Sequence, residues 1–228
     1  MIKVCLNGDR GQRDHPGVPI TPVQVGVAAA EAVGAGAQAV HVHPRGVDGV
    51  ESLAWVDIRA AVEAVRGTCP GVPVGVSTRE GIVPEVAERV RLVGEWERGP
   101  DFASVNFHEV GAEWVADTLT SRGIGVEAGL FTLEAARRYL AWGGEVTRVL
   151  VEAIAGISPG VDGIAAAQAV LEVLGRDDVL VHGENGWAWP VLRWAQACGY
   201  DIRVGLEDML SGPEGQPVKT NADLVSFL

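Results

Sequence analysis

Eight short apolar runs rich in β-branched residues alternate along the chain with eight longer segments of helical periodicity. We predict strands over residues 2–6, 38–43, 72–77, 102–107, 124–129, 147–152, 179–183 and 202–206. Helices are predicted to begin near Thr21, Leu53, Pro84, Ala112, Thr132, Pro159, Trp187 and Asn221. Because the strands are apolar on both faces and a helix follows each, they indicate a parallel sheet covered by helices. Eight units predict a closed (β/α)₈ TIM barrel, which we expect residues 1–228 to form as a single domain.

An open, doubly wound sheet is the alternative fold. It would place a G-x-G-x-x-G turn directly after the first strand. Residues 6–17 read "LNGDRGQRDHPG", which lacks that spacing and has a proline where the helix would start. The barrel is favoured, although 228 residues is short for a fold that typically takes about 250.

The charge of the chain excludes several classes of partner. It carries 30 acidic against 18 basic residues, a formal net charge of −12, and it has no basic run. Nucleic acids and anionic membranes require clustered Lys and Arg. The apolar runs are too short to span a membrane, and the N-terminus "MIKVCLNGDR" lacks a signal-peptide pattern. We expect a soluble, cytoplasmic protein that acts on small molecules.

Polar side chains gather where the predicted strands end. In a barrel the βα loops at the carboxyl ends of the strands form the open mouth, so functional side chains collect there. The polar residues at these ends are Asn7, His41, His43, Ser77, Thr78, Asn106, His108, Glu109, Glu127, Glu152, His182, Glu184, Glu207 and Asp208. The sequence therefore predicts one site at this end of the barrel.

His41 and His43, in the stretch "QAVHVHPRG", predict a metal site. Residues two apart on a strand point to the same face, about 6–7 Å apart, which suits chelation of one divalent ion. A catalytic zinc ion commonly has three protein ligands. Glu207 is the predicted third ligand, because alternate strands supply the same interior layer of a barrel. The alternative is a pair of hydrogen-bonded core histidines and an acidic residue at a helix start.

Seven segments together resemble the β-keto acid cleavage enzyme family, whose named activity is 3-keto-5-aminohexanoate cleavage. They are "CLNGDR…HPGVPITP", "GAGAQAVHVHPRG", "VPVGVSTREG", "PDFASVNFHEVG", "GVEAGLFT", "VLVHGENGWAWPVL" and "DIRVGLEDML…TNADLV". The resemblance covers nearly the whole chain and implies a TIM barrel with a zinc ion held by His41, His43 and Glu207. It also implies an acyltransferase that converts a β-keto acid and acetyl-CoA, a CoA thioester, into acetoacetate and a new acyl-CoA. A homo-oligomer is expected, although the chain is shorter than most members after "NADLVSFL".

The resemblance also implies roles for further residues. Arg203 and Asp208 match family positions assigned to substrate activation and to the base. Ser77 and Asn106 are expected to hydrogen-bond the substrate carboxylate or a developing oxyanion. Glu127 is expected either to be a catalytic residue facing the site or to pair with an arginine, because an unpaired buried carboxylate is costly.

The loop after strand 1 is expected to set substrate specificity. It carries Gly8, Asp9 and Arg10 where many members have Gly-Ala followed by an acid that contacts a substrate amine. We expect Arg10 in the mouth to favour an anionic or neutral acyl group, unless Asp9 keeps the acidic role. Asn7 is predicted to bind substrate from the same loop.

Three other functional classes are alternatives. A Schiff-base aldolase needs a lysine at a strand end, and the chain's lysines are Lys3, at the opposite end of strand 1, and Lys219, beyond strand 8. A metal-dependent hydrolase of the amidohydrolase type also uses H-x-H, but on the first strand of its barrel; hydrolysis without CoA would favour it. A non-catalytic, metal-stabilised scaffold would bind metal and turn over no β-keto acid.

Overall fold

The computed structural model describes residues 1–97 and 99–228, and its eight strands close into a parallel barrel in chain order. The strands are β1 (Ile2–Cys5), β2 (Ala39–Val42), β3 (Val74–Ser77), β4 (Phe102–Asn106), β5 (Gly125–Leu130), β6 (Arg148–Ala153), β7 (Val179–Gly183) and β8 (Asp201–Val204). Because β8 pairs with β1, no edge is left open in this barrel of described strands. The predicted (β/α)₈ fold is confirmed.

A helix follows each strand and packs outside the barrel. The helices are α1 (Pro22–Gly34), α2 (Trp55–Thr68), α3 (Val86–Gly94), α4 (Ala112–Ser121), α5 (Leu133–Trp142), α6 (Gly163–Leu174), α7 (Ala188–Cys198) and α8 (Asn221–Val225), with a 3₁₀ turn over Asn185–Trp187. The predicted start of α6 near Pro159 is wrong by four residues. Asp162 caps this helix, because its carboxylate accepts a hydrogen bond from the backbone N–H of Ala165.

No helix within the described ranges is long and apolar enough to cross a membrane.

Charged residues fill the barrel interior on the amino-terminal side of the strand ends. Glu127 of β5 lies 2.5 Å from the Lys3 ammonium group and 2.7 Å from the Arg148 guanidinium. Lys3 and Glu127 are both 0% exposed. Arg148 also lies over the ring of Phe102, 5.3 Å from its centroid. These side chains form a floor beneath the strand-end residues.

Candidate active site

A cleft of about 920 Å³ opens at the carboxyl ends of the strands. Side chains that follow all eight strands line it, as expected for this fold. The sequence-predicted residues that it brings together are Arg10, His41, His43, Ser77, Asn106, Arg203 and Glu207. The predicted residues Asn7, Glu127 and Asp208 lie outside its lining.

His41, His43 and Glu207 form a compact cluster within the cleft. Each offers one ligand atom, and the three atoms lie within 4.8 Å of one another. Nε2 of His43 lies 3.5 Å from Glu207 Oε1, and Nε2 of His41 lies 3.9 Å from Glu207 Oε2. The strands explain the convergence, because β1 pairs with β2 on one side and with β8 on the other. A Cβ atom at Gly8 would lie 2.5 Å from Glu207 Cγ, so a glycine leaves room for this carboxylate.

Neighbouring residues fix the orientation of His43. Its Nδ1 atom lies 2.5 Å from Glu51 Oε1, and Arg79 holds Glu51 through contacts of 2.6 and 3.2 Å. Because a carboxylate only accepts, Nδ1 carries the proton and Nε2 faces Glu207. Asn7 fixes the backbone: it accepts from the His43 N–H at 2.8 Å and donates to the His43 carbonyl at 2.9 Å. Asn7 thus supports a cluster residue instead of facing the cleft, because both polar ends of its amide are used by the backbone.

The cluster has an unpartnered polar atom that suits a metal ion. In residues 1–97 and 99–228, Glu207 Oε2, the oxygen nearer to His41 Nε2, is buried without a hydrogen-bond partner. Buried polar atoms are rarely left unpaired, because desolvation without a partner is costly. Two imidazoles and a carboxylate are a donor set that binds zinc and similar divalent ions. The residues present therefore fit the predicted metal.

The electrostatics of the cluster depend on its carboxylates. Burial lowers the pKa of His41 to about 3, so its imidazole is neutral. Burial also lowers the pKa of His43, but Glu207 and Glu51 raise it more, to about 9. Burial raises the pKa of Glu207, while Arg203 and His43 bring it well below its usual range. A cation must displace the proton on His43, so metal binding is expected to release a proton.

Arg203 connects three carboxylates at the base of the cleft. Its Nη2 atom donates to Glu207 Oε1 at 2.6 Å and to Asp208 Oδ1 at 2.7 Å, and Nε contacts both Asp208 oxygens at 3.1 Å. Its Nη1 atom lies 3.6 Å from Glu152 Oε2. The expected pairing of Arg203 with Asp208 is present. Asp208 is 0% exposed and lies behind Arg203. Its assignment as the base stays a prediction, and it requires that the substrate proton reach the Asp208 carboxylate past the Arg203 guanidinium.

The remaining predicted residues of the cleft already have partners within the protein. Ser77 Oγ accepts from the Arg79 N–H at 3.3 Å, which leaves its hydroxyl hydrogen free to donate to a ligand. Asn106 donates to Glu109 Oε1 at 2.8 Å. Arg10 donates to the Glu207 carbonyl at 3.0 Å and to Asn185 Oδ1 at 2.8 Å, so it ties two loops together across the mouth.

Glu127 pairs with an arginine, the second of the two arrangements expected from the sequence. Its carboxylate belongs to the interior ion pairs with Lys3 and Arg148 and does not line the cleft. Burial raises its pKa, but the two cations lower it to about 2. Glu127 is therefore ionised and fully paired.

The sequence did not assign several residues that shape the site. Glu51 follows His43 by eight residues, too far along the chain for the alternation of side chains on β2 to predict its direction. An isolated antiparallel β-bridge between Arg45 and Glu51 positions it. Apolar side chains from the loops after β5, β6 and β8 also line the cleft; they are Phe131, Ile154, Ile157 and Leu210. No local pattern marks such loop residues, because their position depends on how the loops fold over the barrel.

This chain is similar to a family model, to a named enzyme and to several solved structures. A family model described as beta-keto acid cleavage enzyme matches residues 1–228. The 3-keto-5-aminohexanoate cleavage enzyme of Acetoanaerobium sticklandii is 23% identical over 244 residues, which cover 99% of this chain and 88% of that protein. Among solved structures, ObcA in a binary complex with oxaloacetate superposes with a TM-score of 0.71 at 16% identity.

The structural similarities show the fold. ObcA in a ternary complex with a C4-CoA adduct and oxalate gives a TM-score of 0.69 at 18% identity. In both ObcA comparisons 92% of this chain is covered, and the chain spans 62% of the length of ObcA. An N-acetylmannosamine-6-phosphate 2-epimerase from Clostridium perfringens gives 0.58 at 14% identity, over 91% of this chain and 87% of that one. Since the family model matches the chain from end to end, the protein belongs to the β-keto acid cleavage enzyme family.

Proposed function

We propose that this protein is a zinc-dependent acyltransferase that converts a β-keto acid and acetyl-CoA into acetoacetate and a new acyl-CoA. The observation that carries the proposal is the cluster of His41, His43 and Glu207 in the cleft, with its unpartnered carboxylate oxygen. These three residues would hold the ion. A bound ion would act there as a Lewis acid that makes the α-protons of a β-keto acid more acidic.

Arg203 supplies a fixed positive charge beside the cluster. Its side chain lines the cleft, while Asp208 and Glu207 hold two of its nitrogen atoms. A guanidinium in this position stabilises negative charge that develops on the substrate. Asp208, buried against it, keeps the guanidinium oriented and balances its charge.

Ser77 and Asn106 would bind the substrate's oxygen atoms. Both line the cleft on β3 and β4, opposite β8 in the barrel. The free hydroxyl hydrogen of Ser77 suits a substrate carboxylate or a developing oxyanion, and the Asn106 amide adds a second polar contact.

The proposed reaction balances without any further reactant. Loss of a proton from C2 of the β-keto acid gives a carbon nucleophile that adds to the carbonyl carbon of acetyl-CoA, and CoA leaves as the thiolate. The thiolate then adds to the original acyl carbonyl, and a retro-Claisen step breaks the C2–C3 bond of the β-keto acid. The products are the new acyl-CoA and the enolate of acetoacetate, which recovers a proton at C2.

The cleft favours a neutral acyl group. Asp9, an acid of the β1 loop that lines the cleft, lies 3.2 Å from Arg79 and is thus paired within the protein. The cleft wall has apolar parts, which are formed by Phe131, Ile154 and Leu210. An ammonium group on the substrate would find no free carboxylate at Asp9, whereas an alkyl chain would bury apolar surface there.

A panel of β-keto acids tests the proposal. The zinc-loaded protein is incubated with acetyl-CoA and one β-keto acid, either unbranched with five to eight carbons or 3-keto-5-aminohexanoate, and new CoA esters are read by mass spectrometry. We expect acyl-CoA from the unbranched acids, and none with the His41→Ala/His43→Ala protein as a matched control. Hydrolysis of an amide or lactone without CoA, and no CoA ester from any acid, would favour a metal-dependent hydrolase instead.

A further inference from the structure

Two side-chain oxygen atoms converge in the cleft over Gly129, a residue of β5. A Cβ atom at Gly129 would lie 2.6 Å from Asn106 Oδ1 and 2.6 Å from Glu152 Oε1. The two oxygens therefore lie no farther apart than twice that distance. Both residues line the cleft, and they belong to β4 and β6, the strands on either side of β5. Any side chain at this position would displace both oxygens, so glycine allows them to converge.

The amide of Asn106 presents its oxygen to this point because its nitrogen is already engaged. Nδ2 donates to Glu109 Oε1 at 2.8 Å, while Glu109 Oε2 accepts from the backbone N–H of Glu80 at 2.9 Å. Glu109 is buried, so the two loops that follow β3 and β4 hold it in place. Because Glu109 Oε1 accepts the hydrogen bond, the nitrogen of the Asn106 amide faces Glu109 and the amide oxygen faces the cleft.

The carboxyl group of Glu152 is a neutral acid whose proton lies on Oε2. Nδ1 of His182 faces two acceptors, the Gly183 carbonyl at 3.3 Å and Asp208 Oδ1 at 3.7 Å, so the ring proton lies on Nδ1. Burial and the charge of Arg203 lower the pKa of His182 to about 3, so its Nε2 atom carries no proton. Glu152 Oε2 lies 2.7 Å from that Nε2 and supplies the hydrogen of the bond. Burial raises the pKa of Glu152 to about 8, which agrees with this arrangement.

The two converging oxygens are therefore neutral acceptors without a donor. Within residues 1–97 and 99–228, neither Asn106 Oδ1 nor Glu152 Oε1 has a hydrogen-bond partner, and neither atom is sealed from solvent. A ligand that covers such atoms must supply a donor, because desolvation without a partner is costly. Since neither oxygen belongs to a charged group, a neutral donor suits them better than an ammonium group does.

This pair of oxygens lies beside the apolar part of the cleft wall. Phe131 and Ile154 belong to that wall and directly follow β5 and β6. Arg203 connects the pair to the cluster that would hold the metal ion: its Nη2 atom donates to Glu207 Oε1 at 2.6 Å, and its Nη1 atom lies 3.6 Å from Glu152 Oε2. Because one guanidinium group spans this gap, a substituent close to the ketone of the substrate would reach the pair.

We propose that Asn106 Oδ1 and Glu152 Oε1 form a subsite for a hydroxyl group on the acyl chain of the β-keto acid, and that Glu109 and His182 position the two oxygens. This inference rests on the proposed function and narrows its substrate class to neutral acyl groups that carry a hydroxyl group near the ketone. A hydroxyl hydrogen between two acceptors forms a three-centre hydrogen bond. The acyl exchange is unchanged, because no bond of the hydroxyl group is made or broken.

Three acids that differ at one position test the inference: 3-ketohexanoate and its 5-hydroxy and 5-amino derivatives. Dissociation constants are measured by calorimetry at pH 7 with zinc-loaded protein and no acetyl-CoA, so that no acyl transfer occurs, and kcat/KM is measured with acetyl-CoA. One enantiomer of the hydroxy acid should bind about 3- to 10-fold more tightly than 3-ketohexanoate, the usual gain from one hydrogen bond, and its kcat/KM should rise accordingly. The amino derivative should show no such gain, because the subsite is neutral.

Variants at the subsite make the test specific. In Glu152→Gln the amide nitrogen donates to Nε2 of His182 and the amide oxygen replaces Oε1, so this variant should keep the preference for the hydroxy acid. Glu152→Met, of similar length without an acceptor oxygen, should lose it, and so should Gly129→Ala, whose Cβ displaces both oxygens. Glu184→Met is the matched control, because Glu184 also lines the cleft, and it should keep the preference. The preference is a ratio of two acids on one protein, so partial unfolding does not imitate it.

The outcomes separate this inference from the proposed function. If the parent binds 3-ketohexanoate and both enantiomers of the hydroxy acid equally, or prefers the amino derivative, the subsite is wrong, while formation of acyl-CoA would still support the proposed function. A preference that Glu152→Met retains would also overturn the subsite. Tighter binding of the hydroxy acid without any acyl transfer would contradict the proposed function and support the subsite. No binding of any of the three acids would overturn both.

Discussion

Replacing Glu127 by Gln should destabilise the barrel and leave its catalysis intact. The carboxylate lies in the barrel interior, where it contacts Lys3 and Arg148 at 2.5 and 2.7 Å. Glutamine keeps the shape of the side chain and removes its charge. The buried Lys3 ammonium group then loses its direct ionic partner, and burying an unpaired charge is costly.

The size of the effect follows from the pKa of the carboxyl group. Its pKa falls from a usual value of 4.5 to about 2, because Lys3 and Arg148 outweigh the effect of burial. One pKa unit corresponds to about 1.4 kcal/mol, so the ionised form contributes about 3 kcal/mol to the free energy of unfolding. Breaking a buried ion pair by removing one partner costs about 3–5 kcal/mol in other proteins, which agrees.

Urea unfolding at several pH values measures this contribution. Because the pKa in the folded state is lowered, the stabilisation is present above pH 4.5 and is lost as the pH falls towards about 2. The difference between parent and Glu127→Gln should therefore be about 3 kcal/mol at pH 7 and should shrink below pH 4.5. Glu88→Gln, which removes a surface carboxylate that is 45% exposed and paired with Arg91, is the control and should unfold like the parent.

Two results would refute this reasoning. If Glu127→Gln unfolds at the parent's urea concentration at pH 7, the interior ion pairs do not stabilise the fold. If the variant is as stable as the parent, keeps its zinc and loses turnover, Glu127 is a catalytic residue, as one of the two sequence-based expectations had it.

Four further predictions concern the cleft. His41→Ala and His43→Ala should each lose the metal, and Glu51→Gln should weaken metal affinity by about 10- to 100-fold, measured by competition with a chelator. Metal affinity of the parent should also fall as the pH drops below about 9, because a proton on His43 competes with the ion; affinity that does not change with pH would contradict this. Asp208→Asn should keep its zinc and lower kcat, and parent kcat would rule out any catalytic role. Ser77→Ala should lower kcat by about 10²- to 10³-fold if its hydroxyl binds an oxyanion, whereas a raised KM with parent kcat would indicate binding of the substrate carboxylate.

The fold was predictable because the sequence repeats one local pattern eight times. Each apolar run with its helix defines a βα unit, and eight such units close a barrel without long-range information. The misplaced start of α6 shows the limit of this approach. Pro159 is a common first helical residue, but the capping hydrogen bond of Asp162 determines where the helix begins, and both residues are plausible helix starts.

The site was predictable to the extent that strand alternation determines which side chains face inward. His41, His43 and Glu207 converge because strands β2 and β8 both flank β1. Alternation does not give depth along the barrel axis, so it could not distinguish Glu127, which lies in the floor, from Glu152, which reaches the cleft.

The sequence pattern could not predict the direction of side chains in the loops, for a different reason. Asn7 follows β1 at the barrel mouth, but its amide turns to the backbone of His43, where it satisfies one donor and one acceptor. Asp208 follows Glu207 directly, but it turns away from the cleft to pair with Arg203. Such choices depend on partners that are remote in sequence.

Transfer of a labelled acetyl group tests the central claim most directly. The zinc-loaded protein is given an unlabelled β-keto acid of five or more carbons and acetyl-CoA carrying carbon-13 at its carbonyl. If the proposed acyl exchange occurs, carbon-13 NMR will show the label at C3 of acetoacetate, and the new acyl-CoA will be unlabelled and equimolar with it. Label that remains in acetyl-CoA or appears only in free acetate, with no labelled acetoacetate, would contradict the proposed function.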